Sequence, residues 1–434
     1  MAPSTATAAG PRTRAITGAA ARTTAQAAAA LVLLAGSGAA SAQFQGGQDD
    51  DRGIVRGPFT LLPELSGTLR HDDNIYQSDD FQKESAVALL GLGLGARYET
   101  GTSGWELAYA GEAAAYEYDG DDNYFDHRLG GRGIVQMGIR HRLELSAGLD
   151  KLHEDRGSRL TQGFGEQITT RVPEPDRFDN SHAELRYRFG APRAKGRLQL
   201  DARYSDKEYT NNRDRTRPFD RDSRYVAGTF FWRVFPNSSL LLLGSHAEVS
   251  YPVDFSGQSS RDSSTNRVLA GITWEATAKT TGTVKVGYLA KDFDAADRAD
   301  FDAPSWEVEL RWEPRSYSVV EFETRRFDRE FNFGAGGDFI DTATYAVTWE
   351  HDWSDRWSTE TGLSYVDETF EGGGAVASAA NRTQETTVFD AALRFALRRT
   401  VDVELRYTLR DRDSNLSRFR FGRNQVALGL ALAL

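Results

Sequence analysis

The last ten residues, Gln425 to Leu434, read QVALGLALAL. Val426, Leu428, Leu430, Leu432 and Leu434 fall on one side; Gln425, Ala427, Gly429, Ala431 and Ala433 fall on the other. Successive strand side chains point to opposite faces, so this is a strand with one wholly apolar face. An unpaired strand of this kind is a template for aggregation. It is harmless where it pairs with another strand of the same chain, as in a sheet closed on itself.

The same period of two recurs along the chain. In Arg142 to Asp150, Leu143, Leu145, Ala147 and Leu149 oppose Arg142, Glu144, Ser146 and Asp150. In Ser305 to Glu313, Trp306, Val308, Leu310 and Trp312 oppose Glu307, Glu309, Arg311 and Glu313. Val401 to Arg410 sets Val401, Val403, Leu405, Tyr407 and Leu409 against Asp402, Glu404, Arg406, Thr408 and Arg410. Repeated alternation with charge on the polar face predicts many half-apolar strands. From Phe59 onward we count 18 such segments.

Their connections alternate in length. Short ones lie near residues 101–104, 138–140, 190–192, 236–237, 279–281, 314–315, 353–355 and 398–399. Long polar ones lie near 71–83, 119–123, 154–177, 211–222, 252–265, 294–303, 329–337, 371–382 and 411–416. A soluble sandwich has no reason to sort its loops this way. A transmembrane antiparallel β-barrel does, with short turns on one side of the membrane and long loops on the other. The fold expected over 59–434 is therefore an all-β barrel of about 18 strands, with short periplasmic turns and long outer loops. Tyr98, Trp105, Phe189, Trp232, Trp312, Trp349, Trp357 and Phe395 fall near short-turn ends. Tyr109, Tyr204, Tyr251, Trp306 and Tyr407 fall toward long-loop ends. Amphipathic rings favour membrane interfaces, so two girdles are expected.

Composition agrees. A mean hydropathy of −0.53 is too polar for a bundle of membrane helices. It suits a barrel, where only alternate residues must be apolar. The chain has no Cys, which removes disulfides and thiol chemistry. Residues 1–42 read as a secretion signal: Arg12, Arg14 and Arg22, then the apolar run Ala27 to Ala35, then Ala40-Ser41-Ala42. Removing those three Arg takes the net charge from −11 to about −14. An acidic protein of this kind is no partner for nucleic acid. Residues 43–58 read as a short periplasmic lead-in.

The terminal strand, apolar at every second position back from Leu434, resembles the closing strand of bacterial outer-membrane barrels. Residues 59–79 read FTLLPELSGTLRHDDNIYQSD. Pro63, Leu65, Gly67, Leu69, Asp72, Asp73, Asn74, Ile75 and Tyr76 resemble the first strand and turn of the putative beta-barrel porin 2 family. That resemblance implies a Gram-negative outer-membrane location reached through the periplasm. It implies contact with outer-membrane lipid, lipopolysaccharide and the barrel assembly machinery, and a link to exopolysaccharide export. The apolar positions Val426, Leu428, Leu430, Leu432 and Leu434 would then serve as the assembly signal.

With the apolar face toward lipid, the polar face lines the lumen. The residues assigned to it are Arg142, Glu144, Asp150, Glu184, Arg186, Arg188, Arg197, Asp201, Arg203, Glu309, Arg311, Glu321, Glu323, Arg325, Asp402, Glu404 and Arg406. Charges of both signs need water or one another. The wall reads either as a hydrated pore whose charges select solutes, or as a rigid lining of solvated pairs. The mixed signs argue against strong selectivity for simple anions or cations. The function expected is porin-like passage of polar solutes. The alternative is a non-conducting barrel, closed by Arg–carboxylate networks or by a loop such as 154–177.

Other signals are weaker. Asp72-Asp73 and Asp119 with Asp121-Asp122 read as solvated acidic loops. Arg213, Arg215, Arg217 and Arg221 could meet lipid phosphates or an anionic glycan. No metal spacing or cofactor motif is present. A barrel enzyme acting on lipid would need a group such as His153 with Glu154 and Asp155, or His127 with Asp126. No GxSxG elbow accompanies them, and the reading is of a protein that is not an enzyme.

Overall fold

A computed structural model describes residues 53–277, 279–330, 338–372 and 382–434. The secretion segment expected over 1–42, most of the lead-in, and parts of the loops expected over 329–337 and 371–382 lie outside the described residues.

Eighteen long strands form one antiparallel sheet among the described residues, and a short strand precedes them. The short strand is β1 (Ile54–Arg56). The first nine long strands are β2 (Phe59–Asp72), β3 (Ser85–Thr100), β4 (Ser103–Tyr116), β5 (Tyr124–Met137), β6 (His141–Glu154), β7 (Asp176–Phe189), β8 (Gly196–Tyr209), β9 (Arg221–Phe235) and β10 (Ser238–Ser250). The rest are β11 (Ser263–Thr277), β12 (Thr280–Phe293), β13 (Phe301–Arg315), β14 (Ser318–Glu330), β15 (Phe339–Asp352), β16 (Trp357–Glu371), β17 (Thr383–Arg398), β18 (Val401–Ser414) and β19 (Phe421–Ala433). Each long strand pairs with its neighbours in sequence. The last pairs with the first, from Gln425↔Asp72 to Ala433↔Glu64. Closure leaves the long strands no free sheet edge, which a sheet crossing lipid requires. The hairpin that β1 makes on β2, Arg56↔Phe59 to Ile54↔Leu61, has no periodic signal long enough to read in sequence.

The connections sort as expected. Eight short turns stand at one end and nine longer loops at the other. Gly138 takes φ +66 in the β5–β6 turn, a conformation that glycine adopts without steric penalty. The long strands run 13 to 16 residues, more than the 9–11 or so that span the hydrocarbon. In a bilayer their ends would project beyond it.

One face of the sheet is apolar and exposed. Leu69, Leu405 and Leu428 are 68%, 48% and 56% accessible and sit side by side on β2, β18 and β19. Trp105, Trp232, Trp312 and Trp357 are exposed near short turns on the same face. Tyr251 departs from the expected upper girdle. It is buried and donates its hydroxyl to Glu330, because the β10–β11 loop folds over it.

Candidate functional site

The face opposite the exposed leucines carries the charges, and register brings them into three networks. On β6, β7 and β8, Arg142 donates to Glu144 at 2.7 Å and Arg188 lies 3.2 Å from the same carboxylate. Arg186 donates to Asp201 at 2.6 Å and to Glu184 at 3.3 Å, and Arg203 lies 3.4 Å from Glu184. Arg197 instead stacks on Phe231, 5.3 Å from its centroid, and Asp150 accepts from Asn180 at 3.1 Å. On β13 and β14, Arg311 holds Glu313 and Glu321. Glu309 and Glu323 stand directly opposite each other there, and Arg325 lies over the Phe327 ring at 4.6 Å. On β16 to β18, Glu404 takes Arg394 at 2.7 Å and Arg406 at 2.9 Å, while Arg406 also reaches Asp390. Asp402 stands opposite Ala396 and Ala431. Alternation and antiparallel register alone create these neighbours.

A second arrangement lies at the long-loop end. The β6–β7 connection, residues 155–175, folds in. Arg156 is 2% exposed. It donates to Asp122 at 2.6 and 2.8 Å, to Asp119 at 2.6 Å, to the Tyr76 hydroxyl at 3.2 Å and to the Val172 carbonyl at 3.2 Å. Burial alone would raise the Asp119 carboxyl, but Arg156 and the Asp121 amide hold it below its ordinary value. Asp122 is the more deeply buried, and burial keeps it above its ordinary value despite Arg156. These carboxylates correct the expectation of solvated acidic loops: Asp72 and Asp122 are buried because arginines are folded onto them.

The same loop reaches much farther. Leu160 packs with Tyr209, Phe219, Ile340 and Phe370. Gln162 accepts from Arg382 at 2.6 Å. β16, which carries Phe370, lies ten strands from β6 one way round the sheet and eight the other. A loop that leaves β6 and touches Phe370 therefore crosses the mouth. The sequence offered this stretch as a long loop that could close the lumen, but not its partners; the crossing joins residues 220 apart.

The family-like residues of the first turn gather at the seam. Asp72 receives Arg423 and Gln425, Asp73 receives the amide and side chain of Asn424, and Asn74 donates to the Gly422 carbonyl at 2.8 Å. Val426, Leu428, Leu430, Leu432 and Leu434 stand on the exposed face, from 37% to 56% accessible.

Of the histidine pairs, that of His153 with Asp155 forms, while His127 takes another partner. His153 is buried between Asp126 at 2.9 Å and Asp155 at 3.1 Å and stacks on Tyr124. Both ring nitrogens are engaged, which leaves none for a substrate proton. His127 meets Tyr109 instead. Arg213 and Arg215 are held internally by Asp220 and Asp176, not offered to an anionic surface. Among the described residues no group of three or more His, Asp or Glu is arranged to hold a metal ion.

Residues 49–434 match the family model described as Putative beta-barrel porin 2. Among solved structures, the chain is similar to OccAB3 of Acinetobacter baumannii, with 11% identity, a TM-score of 0.45, and 86% of this chain and 99% of that one covered. It is similar to OpdK of Pseudomonas aeruginosa, solved with vanillate, at 12% identity and a TM-score of 0.45 over 86% and 98%. The siderophore receptor PirA of Acinetobacter baumannii matches at 8% identity and a TM-score of 0.43 over 86% and 80%. No curated protein matches the sequence.

Proposed function

Since the chain belongs to the Putative beta-barrel porin 2 family, we propose that it is a porin-like channel for passive passage of polar solutes across a Gram-negative outer membrane. The observation that carries this reading is the inner wall. Its ion pairs are partly open to solvent, as at Arg394 and Glu360 with 44% and 27% of their side chains accessible. Charges so placed suit a hydrated lining, since a dry interior would penalise them heavily. The residues assigned to the lumen, from Arg142 on β6 to Arg406 on β18, would set which solutes pass. The link to exopolysaccharide export rests on the resemblance of residues 59–79 alone. Outer-membrane lipid, lipopolysaccharide and the assembly machinery are the partners that go with this reading.

A non-conducting scaffold is the second reading, and the loop that crosses the mouth favours it. Planar-bilayer recording separates the two. Stable current steps support the channel; silence at high protein load supports the scaffold.

A further inference from the structure

We propose that the inner wall beneath the folded-in loop holds a binding site for a small oxyanion, built around Arg412. Three adjacent strands converge there. Arg410 of β18 stands directly across from Arg423 of β19, and Arg412 follows on the same face of β18. Arg70 of β2 lies across from Ala427 of β19. Like charges in opposed register are unfavourable, so such a wall asks for negative charge.

The carboxylates nearest this wall are each already held by other groups. Asp72 holds Arg423 and Gln425. Asp155 holds His153. Glu368, whose charge reaches Arg412, takes Arg329 on one oxygen and Gln384 on the other.

Arg412 is only 9% exposed. Its Nε donates to the Thr386 hydroxyl at 3.1 Å, and its guanidinium lies over Phe421 at 4.9 Å. Its Nη1 has no hydrogen-bond partner among the described residues. A buried cation with an empty donor is costly. A carboxylate or phosphate group would fill it, since guanidinium matches either with paired N–H bonds. Arg382, stacked between Phe419 at 3.4 Å and Phe370 at 4.2 Å, adds its charge from above. The wall expected to be of mixed sign is thus locally cationic. Naming the preferred solutes as anionic rests on the channel reading; the site itself does not.

Titration calorimetry on the full chain refolded in detergent tests it, with inorganic phosphate and succinate as probes. Folding is checked by heat-modifiable gel mobility. Saturable binding of at least one probe is expected, at least tenfold weaker in Arg412→Gln and unchanged in Arg132→Gln. Should Arg412→Gln fail to fold, Arg412→Lys decides: it keeps the charge, loses the fork, and should bind at least threefold more weakly. Phosphate alone would mark a tetrahedral preference, succinate alone a carboxylate one, and either supports the site. Absence of saturable binding by both probes, or equal affinity in the variant that folds, overturns it. Binding without bilayer current would sink the channel and keep the site; current without binding would do the reverse.

Discussion

Arg423 of the last strand grips Asp72 of the first through two nitrogens, Nε at 3.0 and 3.1 Å and Nη2 at 2.5 Å. Both side chains are almost wholly buried, at 3% and 0% accessible. Removing one partner of such a pair strands the other charge, at about 3–5 kcal/mol. Asp72→Ala should therefore lower the urea midpoint of the refolded barrel strongly. Lys151→Ala breaks the exposed pair with Asp179, 69% and 47% accessible. That change should cost under about 1 kcal/mol. Equal midpoints for the two variants would show that the seam is not held by this pair.

Arg156 fixes the loop that crosses the mouth. Arg156→Gln leaves Asp119 and Asp122 without their cation and should free the loop. Chymotrypsin should then cut after Leu160 or Phe164, both protected in the parent protein, and single-channel conductance should rise. If the cleavage pattern is unchanged, the latch does not hold the loop. Acid acts on the same contact. A carboxylate held below its unfolded-state pKa contributes stability above that pKa and loses it as pH falls through the folded value. Asp119 is such a group, so its share persists at pH 7 and pH 5 and fades below about pH 4. Asp122 has the opposite sign: its protonation comes first on acidification and relieves a burial penalty. Loop release measured against pH should begin only in the Asp119 range, and Asp119→Asn should remove that step.

What could be read beforehand follows from distance along the chain. Leu428 and Arg406 declare their faces through their immediate neighbours, because strand alternation is a local rule. The pairing of β19 with β2 follows from an even strand count and two apolar edges. The wall networks, such as Arg186 with Asp201, follow once adjacent strands are in register. Arg156 gives no such signal. Its side-chain partners lie 34 to 80 residues away on other loops, and loops have no period to place them. The motif Asp72-Asp73-Asn74 was visible, but its role as a clasp on Gly422, Arg423 and Asn424 needed the closed sheet.

Gly157 offers a test of the loop that leaves its charges intact. Its φ is +85, and a Cβ there would lie 1.9 Å from the Tyr76 carbonyl oxygen. Backbone cannot yield as a side-chain tip does. Gly157→Ala carries a left-handed penalty of about 1–2 kcal/mol in addition to that clash. It should undock the loop and reproduce the protease sensitivity of Arg156→Gln with Arg156, Asp119 and Asp122 all present. Protection equal to the parent's would mean the loop is not seated against Tyr76.

Leu428 tests which face meets lipid. It lies between Leu69 and Leu405, both exposed, while its neighbour Ala427 points to the other face between Arg70 and Arg406. An Arg on the lipid face of a barrel costs about 2–4 kcal/mol near the bilayer midplane. On the inner face the same charge meets water and counter-ions. Leu428→Arg should thus reduce the folded, heat-modifiable fraction in vesicles far more than Ala431→Arg, which stays on the inner face across from Asp402. The comparison cancels the general effect of an added cation on the strand. If both variants assemble equally well, the exposed leucines do not face lipid, and the inside-out assignment of every strand must be reversed.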